Sequence, residues 1–150
     1  MTVFGFANVA MDVQPLWHLC RGEGIVHGVS HSFLGATVIG LLSALLGRPF
    51  CQRILNRWTP APGDDFRCWL RGPRTISWSS AIIAAFTATY SHVVLDGMIH
   101  ADVQPFAPFE QGNPLLGYAT FGAMHLVCVG MGLLGLLGMA VRFELQRGGY

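Results

Sequence analysis

Charge is what this sequence lacks most. Only 11% of its 150 residues are charged, less than half of the roughly 25% usual in soluble domains. Lysine is absent, so all nine basic residues are arginine, and they nearly balance eight acids to a net charge of +1. A disordered chain and a nucleic-acid-binding surface are thereby excluded. Cysteine is scarce too: Cys20, Cys51, Cys68 and Cys128 form no C-x-x-C pair, which argues against a zinc ribbon or a disulfide framework. The apolar segment Met1 to Met11 has no basic start, unlike a secretory signal, and is too short to span a bilayer. It reads as a re-entrant or interfacial piece, or as the remnant of a longer first helix.

What remains is apolar: 52% hydrophobic residues and a mean hydropathy of +0.47. Three stretches are long enough to cross a hydrocarbon core, which takes about 20 helical residues. They run over about 26–47, 77–99 and 115–141, predicting an all-α, membrane-embedded three-helix bundle that forms one domain over 1–150. Glycines 130, 132, 135 and 138 in the third stretch would let another helix approach closely. The connector of about 48–76 holds six arginines (48, 53, 57, 67, 71, 74) against Asp64 and Asp65, with Pro60, Pro62, Gly63, Gly72 and Pro73 breaking any long helix. The positive-inside rule puts that loop in the cytoplasm, with Arg142 and Arg147 in agreement. The polar stretches 2–24 and 101–114 carry one arginine and the acids Asp12, Glu23, Asp102 and Glu110, so they face outward. The expected location is a bacterial inner membrane, with the lipid bilayer as partner and no nucleic acid.

Depth gathers the ionisable residues. His27 and His31 fall at the outer end of the first span, His92, Asp96 and His100 at that of the second, and His125 about one turn inside the third. His92, Asp96 and His100 stand at i, i+4 and i+8, and His27 with His31 is another i, i+4 pair, so each set shares a helix face. Donors one turn apart can bind one metal ion, and a carboxylate at membrane depth needs a partner or a water-filled cavity. His18, beside Trp17, reads instead as an interfacial anchor. The tetrapeptide Asp12-Val13-Gln14-Pro15 recurs as Asp102-Val103-Gln104-Pro105, next to the histidine cluster in both cases.

The stretch Gly28-Val29-Ser30-His31-Ser32-Phe33-Leu34 resembles the G-[IVF]-[TS]-H-S-[LF]-L motif of the bacterial YdjM-type membrane-bound metal-dependent hydrolases. Ser91-His92-Val93-Val94-Leu95-Asp96, followed by Gln104 to Phe109, is similar to that family's S-H-L-L-L-D segment and its closing P-F. The lead into Asp12 resembles its P-D-I-D-H segment. The resemblance implies that His31, His92 and Asp96 belong to a metal or catalytic centre, with Asp12 as a further candidate. Gln14 stands where the family usually has a second aspartate, His27 is shifted by one position, and His100 and Asp102 replace proline and glycine of many members.

The expected function is therefore a membrane-bound hydrolase of an ester or phosphoester, lipid included, that uses water activated by a divalent metal, with zinc the expected ion. His31, His92 and Asp96 are the expected ligands, Asp12 or His27 completes the shell, and Asp96, His100 and Asp12 are the candidate catalytic groups. The alternative is a non-enzymatic membrane haem or metal-binding protein whose interhelical histidines, such as His31 with His92 or His125, ligate the iron.

Overall fold

The computed structural model describes residues 1–24, 26–58, 66, 68–69 and 75–147, with side chains as far as residue 145. Of the arginine-rich connector, Arg67, Arg71, Arg74, Asp64, Asp65, Pro60, Pro62, Gly63, Gly72 and Pro73 lie outside the described residues, as does the Arg147 side chain.

The described residues are helical, without strands. Helix α1 is Thr2–Cys20. Helix α2 covers Phe33–Arg57 without a break, helix α3 is Trp78–Ile99 and helix α4 is Phe121–Arg147. Three stretches, Phe33–Arg57, Trp78–Ile99 and Phe121–Leu145, are long and apolar enough to cross a membrane.

The N-terminal segment differs from the short piece expected. It is part of one helix of 19 residues, which passes through Pro15. Its buried residues, Val3, Ala7, Met11 and Pro15, recur every fourth position, so α1 presents one face to its neighbours. Tertiary packing of that face sustains a helix that its own hydropathy does not announce.

The first span starts later than residue 26 and ends later than 47. Ser32 caps it, its hydroxyl accepting from the Gly35 amide at 3.0 Å and donating to the Val29 carbonyl at 2.8 Å. Residues 26–28 are non-helical and Val29–His31 form a single 3-10 turn. At the other end the helix passes through a π-turn at Ser43–Gly47 and continues ten residues further, Arg48–Arg57. Arg48 does not close it. Its Nε donates to the Ile76 carbonyl at 2.9 Å and its guanidinium lies 4.1 Å from the centre of the Trp78 ring, so the charge is accommodated beside an unbroken helix.

Helix α3 matches its expected bounds within one residue, with Ser77 as its cap. Helix α4 begins at 121 because the preceding residues turn. The Asn113 amide nitrogen donates to the carbonyls of Gly97 (2.7 Å) and His100 (2.9 Å), and Gly117 turns with a φ of +88° that favours glycine.

Small residues bring α1, α2 and α3 together. Val3, Ala7, Ala44, Cys51, Ala81, Ala85 and Ala88 form one buried cluster; Met11, Ala36 and Val93 form a second. These contacts align the start of α1 with the end of α2 and the start of α3, so α1 runs parallel to α3 and antiparallel to α2. Side chains this small let backbones approach closely in lipid. The outer faces carry exposed Val38, Leu41, Leu45, Ile82 and Ile83, as a surface solvated by lipid should. Helix α4 is different: nearly all of it is exposed, and a Cβ placed on Gly130, Gly132, Gly135 or Gly138 would meet nothing within 4 Å. The close helix approach expected there is not made among the described residues.

Candidate metal centre

At the end of the bundle where α2 begins and α3 finishes, the apolar faces give way to histidine and aspartate. Asp96 is the hub. Its Oδ2 lies 3.1 Å from His31 Nε2, 3.2 Å from His92 Nε2 and 4.0 Å from His27 Nε2. Asp12, on α1, brings Oδ1 to 3.2 Å from the same His92 Nε2.

His27, His31 and His92 each have the other ring nitrogen engaged. The amide nitrogen of Asn8 donates to the Phe4 carbonyl at 3.0 Å, which leaves its oxygen to accept from His92 Nδ1, also at 3.0 Å. His92 therefore carries its proton on Nδ1 and a lone pair on Nε2. His27 Nδ1 donates to Asp102, 3.0 Å from Oδ1 and 3.1 Å from Oδ2, so its Nε2 is likewise free to accept or ligate. The Ser30 hydroxyl occupies His31 Nδ1 at 3.0 Å. Orientation of a ligating imidazole through its distal nitrogen is the usual outer arrangement of a metal site.

The local sequence around His31 fixes the position of its ring. Gln14 Oε1 accepts from the Ser30 amide at 2.9 Å, and Gly28 is where the Gln14 side chain crosses, leaving no room for a Cβ. Gly35 lies equally tight against the Val29 carbonyl. With Ser32 as cap, every polar or small residue of the Gly28 to Ser32 stretch, together with Gly35, has a part in setting one buried imidazole.

Asp102 is fixed as firmly. Its Oδ2 accepts from the backbone amides of Val26 (3.0 Å) and His27 (2.9 Å). Burial alone would raise its pKa, but these hydrogen bonds and the His27 ring outweigh it and hold the carboxyl down at about 2. The two copies of the tetrapeptide thus place an aspartate beside a histidine of another segment, Asp12 on His92 and Asp102 on His27. Asp12 to Pro15 are helical whereas Asp102 to Pro105 turn over the bundle, with Pro105 accepting from the Phe33 amide at 2.8 Å. The repeat is one of sequence and of use, without a shared conformation.

Two further observations bear on a cation. The Nε2 atoms of His31 and His92 are buried and have no hydrogen-bond partner in line among the described residues, although carboxylate oxygens stand 3.1 to 3.2 Å away. For His92 the arrangement sets a lone pair against an ionised oxygen, which is repulsive unless a positive species lies between them. Adjacent ligands on a tetrahedral zinc ion, with bonds of about 2.0 to 2.2 Å, stand roughly 3.3 Å apart. The donor set fits a divalent metal in both chemistry and spacing.

Three groups have donor atoms all within 4.8 Å of one another: Asp12, His31 and His92; His27, His31 and Asp96; His27, His100 and Asp102. The structure therefore brings together Asp12, His27, His31, His92, Asp96 and His100. His18 stays apart, pairing with Glu23 at 3.1 Å. His125 also stays apart, with Nδ1 on the Phe121 carbonyl at 2.8 Å. Asn8 and Ser30 were not anticipated as partners of the site. Asn8 had a signal: it is a polar residue one turn before Asp12 in an apolar segment.

No curated protein and no solved structure is detectably similar to this chain. The family model of the YdjM inner membrane proteins matches residues 10–145, a stretch that contains every one of these histidine and aspartate donors and all three candidate spans. With both signature stretches at the helix ends that build the centre, the chain is a membrane protein and belongs to the YdjM inner membrane protein family.

Proposed function

We propose that the protein is a metal-dependent hydrolase of membrane lipids or similar esters and phosphoesters, with zinc held by His31, His92 and Asp96. The observation that carries this reading is the pair of buried, unpartnered Nε2 atoms aimed at Asp96. Two imidazoles and one carboxylate form a ligand set of the catalytic type, which leaves a coordination position open for water. A divalent ion there supplies an acidified water and polarises the ester or phosphoester oxygen. The protein's own contribution is orientation and proton handling. Asn8 and Ser30 hold the two imidazoles, and Asp12, whose side chain is 61% exposed, reaches the centre from the accessible side and takes the proton from the attacking water. A centre at the end of two candidate spans would lie at headgroup depth, where a lipid bond to be cleaved would be found.

The haem alternative is less well supported. The His31 and His92 rings lie 5.1 Å apart in a T-shaped arrangement, with the Asp96 carboxylate between their Nε2 atoms where a porphyrin would have to enter.

Elemental analysis, a visible spectrum and hydrolysis of lipid substrates in mixed micelles test the proposal together. Purified protein should be colourless, carry zinc and cleave; Asp96→Asn should lose both metal and activity. A Soret band in the wild type, or unchanged metal in Asp96→Asn, overturns it. We further propose that the centre faces outward and the arginine-rich connector faces the cytoplasm. Exposed Cys20 should then react with an impermeant thiol reagent added to intact cells while exposed Cys68 should not; Cys51 is buried and reports nothing.

A further inference from the structure

We propose that the protein binds a second divalent cation beside the first, through His27, His100 and Asp102, and that its substrate is accordingly a phosphoester. The inference rests on the one-ion reading above and adds to it. These three residues bring donor atoms within 4.8 Å of one another, in a group that contains none of the proposed ligands of the first ion.

The group has the build of a site. The His27 and His100 rings lie 4.5 Å apart and within 35° of parallel, beside the Asp102 carboxylate. Two backbone amides fix Asp102 Oδ2, so the carboxylate is oriented by the main chain before any ligand arrives. Asn113 holds the His100 carbonyl, and fully buried Val103 anchors the segment that carries Asp102. His100 has no hydrogen bond on either ring nitrogen among the described residues, so hydrogen bonding does not account for its place in the stack. The 3.0 Å between His27 Nδ1 and Asp102 Oδ1 falls at the short end of the roughly 3.0 to 3.4 Å separating neighbouring ligands on an ion with bonds of about 2.1 Å. A cation entering there displaces the Nδ1 proton to solvent and turns the hydrogen bond into two metal bonds.

The count of donors agrees. Seven side chains, Asp12, His27, His31, His92, Asp96, His100 and Asp102, exceed what one tetrahedral ion takes, and His27 is shared between a group with His31 and Asp96 and this one. Asp96, 4.0 Å from His27 Nε2, lies between the two. Paired cations suit in-line displacement at phosphorus, where both the attacking and the leaving oxygen need charge stabilisation. A carboxyl ester needs only one ion.

The test is zinc stoichiometry of the full chain in detergent, after chelation and reloading. Wild type should hold two equivalents, and His100→Ala and Asp102→Asn should each hold one. One equivalent in the wild type overturns the second ion and leaves the first; none overturns both. Two equivalents retained in both variants overturn the choice of residues. Electron paramagnetic resonance of the wild type loaded with manganese needs no variant. A spin-coupled pair is expected, and two equivalents of uncoupled manganese would overturn the adjacency. The pair predicts faster cleavage of a phosphodiester lipid than of a carboxyl-ester lipid; the reverse order overturns the substrate class.

Discussion

The three packed helices have two ends, and the same faces serve both. On α3 the buried rhythm of Ala81, Ala85 and Thr89 continues in steps of four to Val93 and Gly97, with half-buried His92 and Asp96 one turn apart beside them. On α2, Ala44, Gly47 and Cys51 pack one end, while His31 and Ser32 lie buried at the other. One end holds and the other gathers the histidines and aspartates. Aspartate is short, and carboxylates from α1 and α3 can meet imidazoles at 3.1 to 3.2 Å only if the backbones are already close. The alanines and glycines of the far end provide that closeness, since a gathering of carboxylates has no attraction of its own.

The division can be broken at either end. Gly35→Ala should have the largest effect, because its Cβ collides with the Val29 carbonyl in the turn that carries His31. Zinc affinity should fall by more than the roughly 10- to 100-fold typical of losing an outer partner, because a ligand itself is displaced. Isothermal titration measures this, and unchanged affinity would show that the turn does not set the imidazole. Asn8→Ala should come next, weakening zinc about 10- to 100-fold by releasing His92 Nδ1. Ala85→Leu should act on the holding end alone. Overpacking at a fully buried position should cost about 1 to 3 kcal/mol in an unfolding titration, with zinc per folded molecule unchanged. Loss of zinc from a still-folded Ala85→Leu protein would erase the distinction between the ends. The smallest effect belongs to Gly135→Leu on α4, where the added side chain meets open space and neither stability nor metal should move. A clear destabilisation would reveal a neighbour that α4 packs against.

The sequence allowed much of this to be read, for reasons that are local. Span length, the i, i+4 steps of His92 and Asp96, and the Gly28 to Ser32 stretch are patterns within single segments, and helix geometry converts them into faces. What could not be read depends on other segments. Arg48 stays within a helix because Trp78 and Ile76 receive it from 28 to 30 positions away. Asn8 facing His92 joins residues 84 apart, and no periodicity reports such a pairing. The site residues were legible as a set because scarcity of charge made each of them conspicuous. Their proposed division between two ions was not, since it turns on which nitrogen each ring offers.

The span of chain that separates these partners has a temporal consequence. Asp102 meets the Val26 and His27 amides across 76 and 75 positions, and Asp12 meets His92 across 80. The residues of α1 and α2 are synthesised before Asp96 and Asp102 exist to meet them. The proposed centre therefore cannot be complete during early synthesis. Loading of the proposed centre would be a late event in biogenesis, open only after α3 and its following turn have closed over the bundle, and it would draw on the metal pool of whichever compartment that end faces.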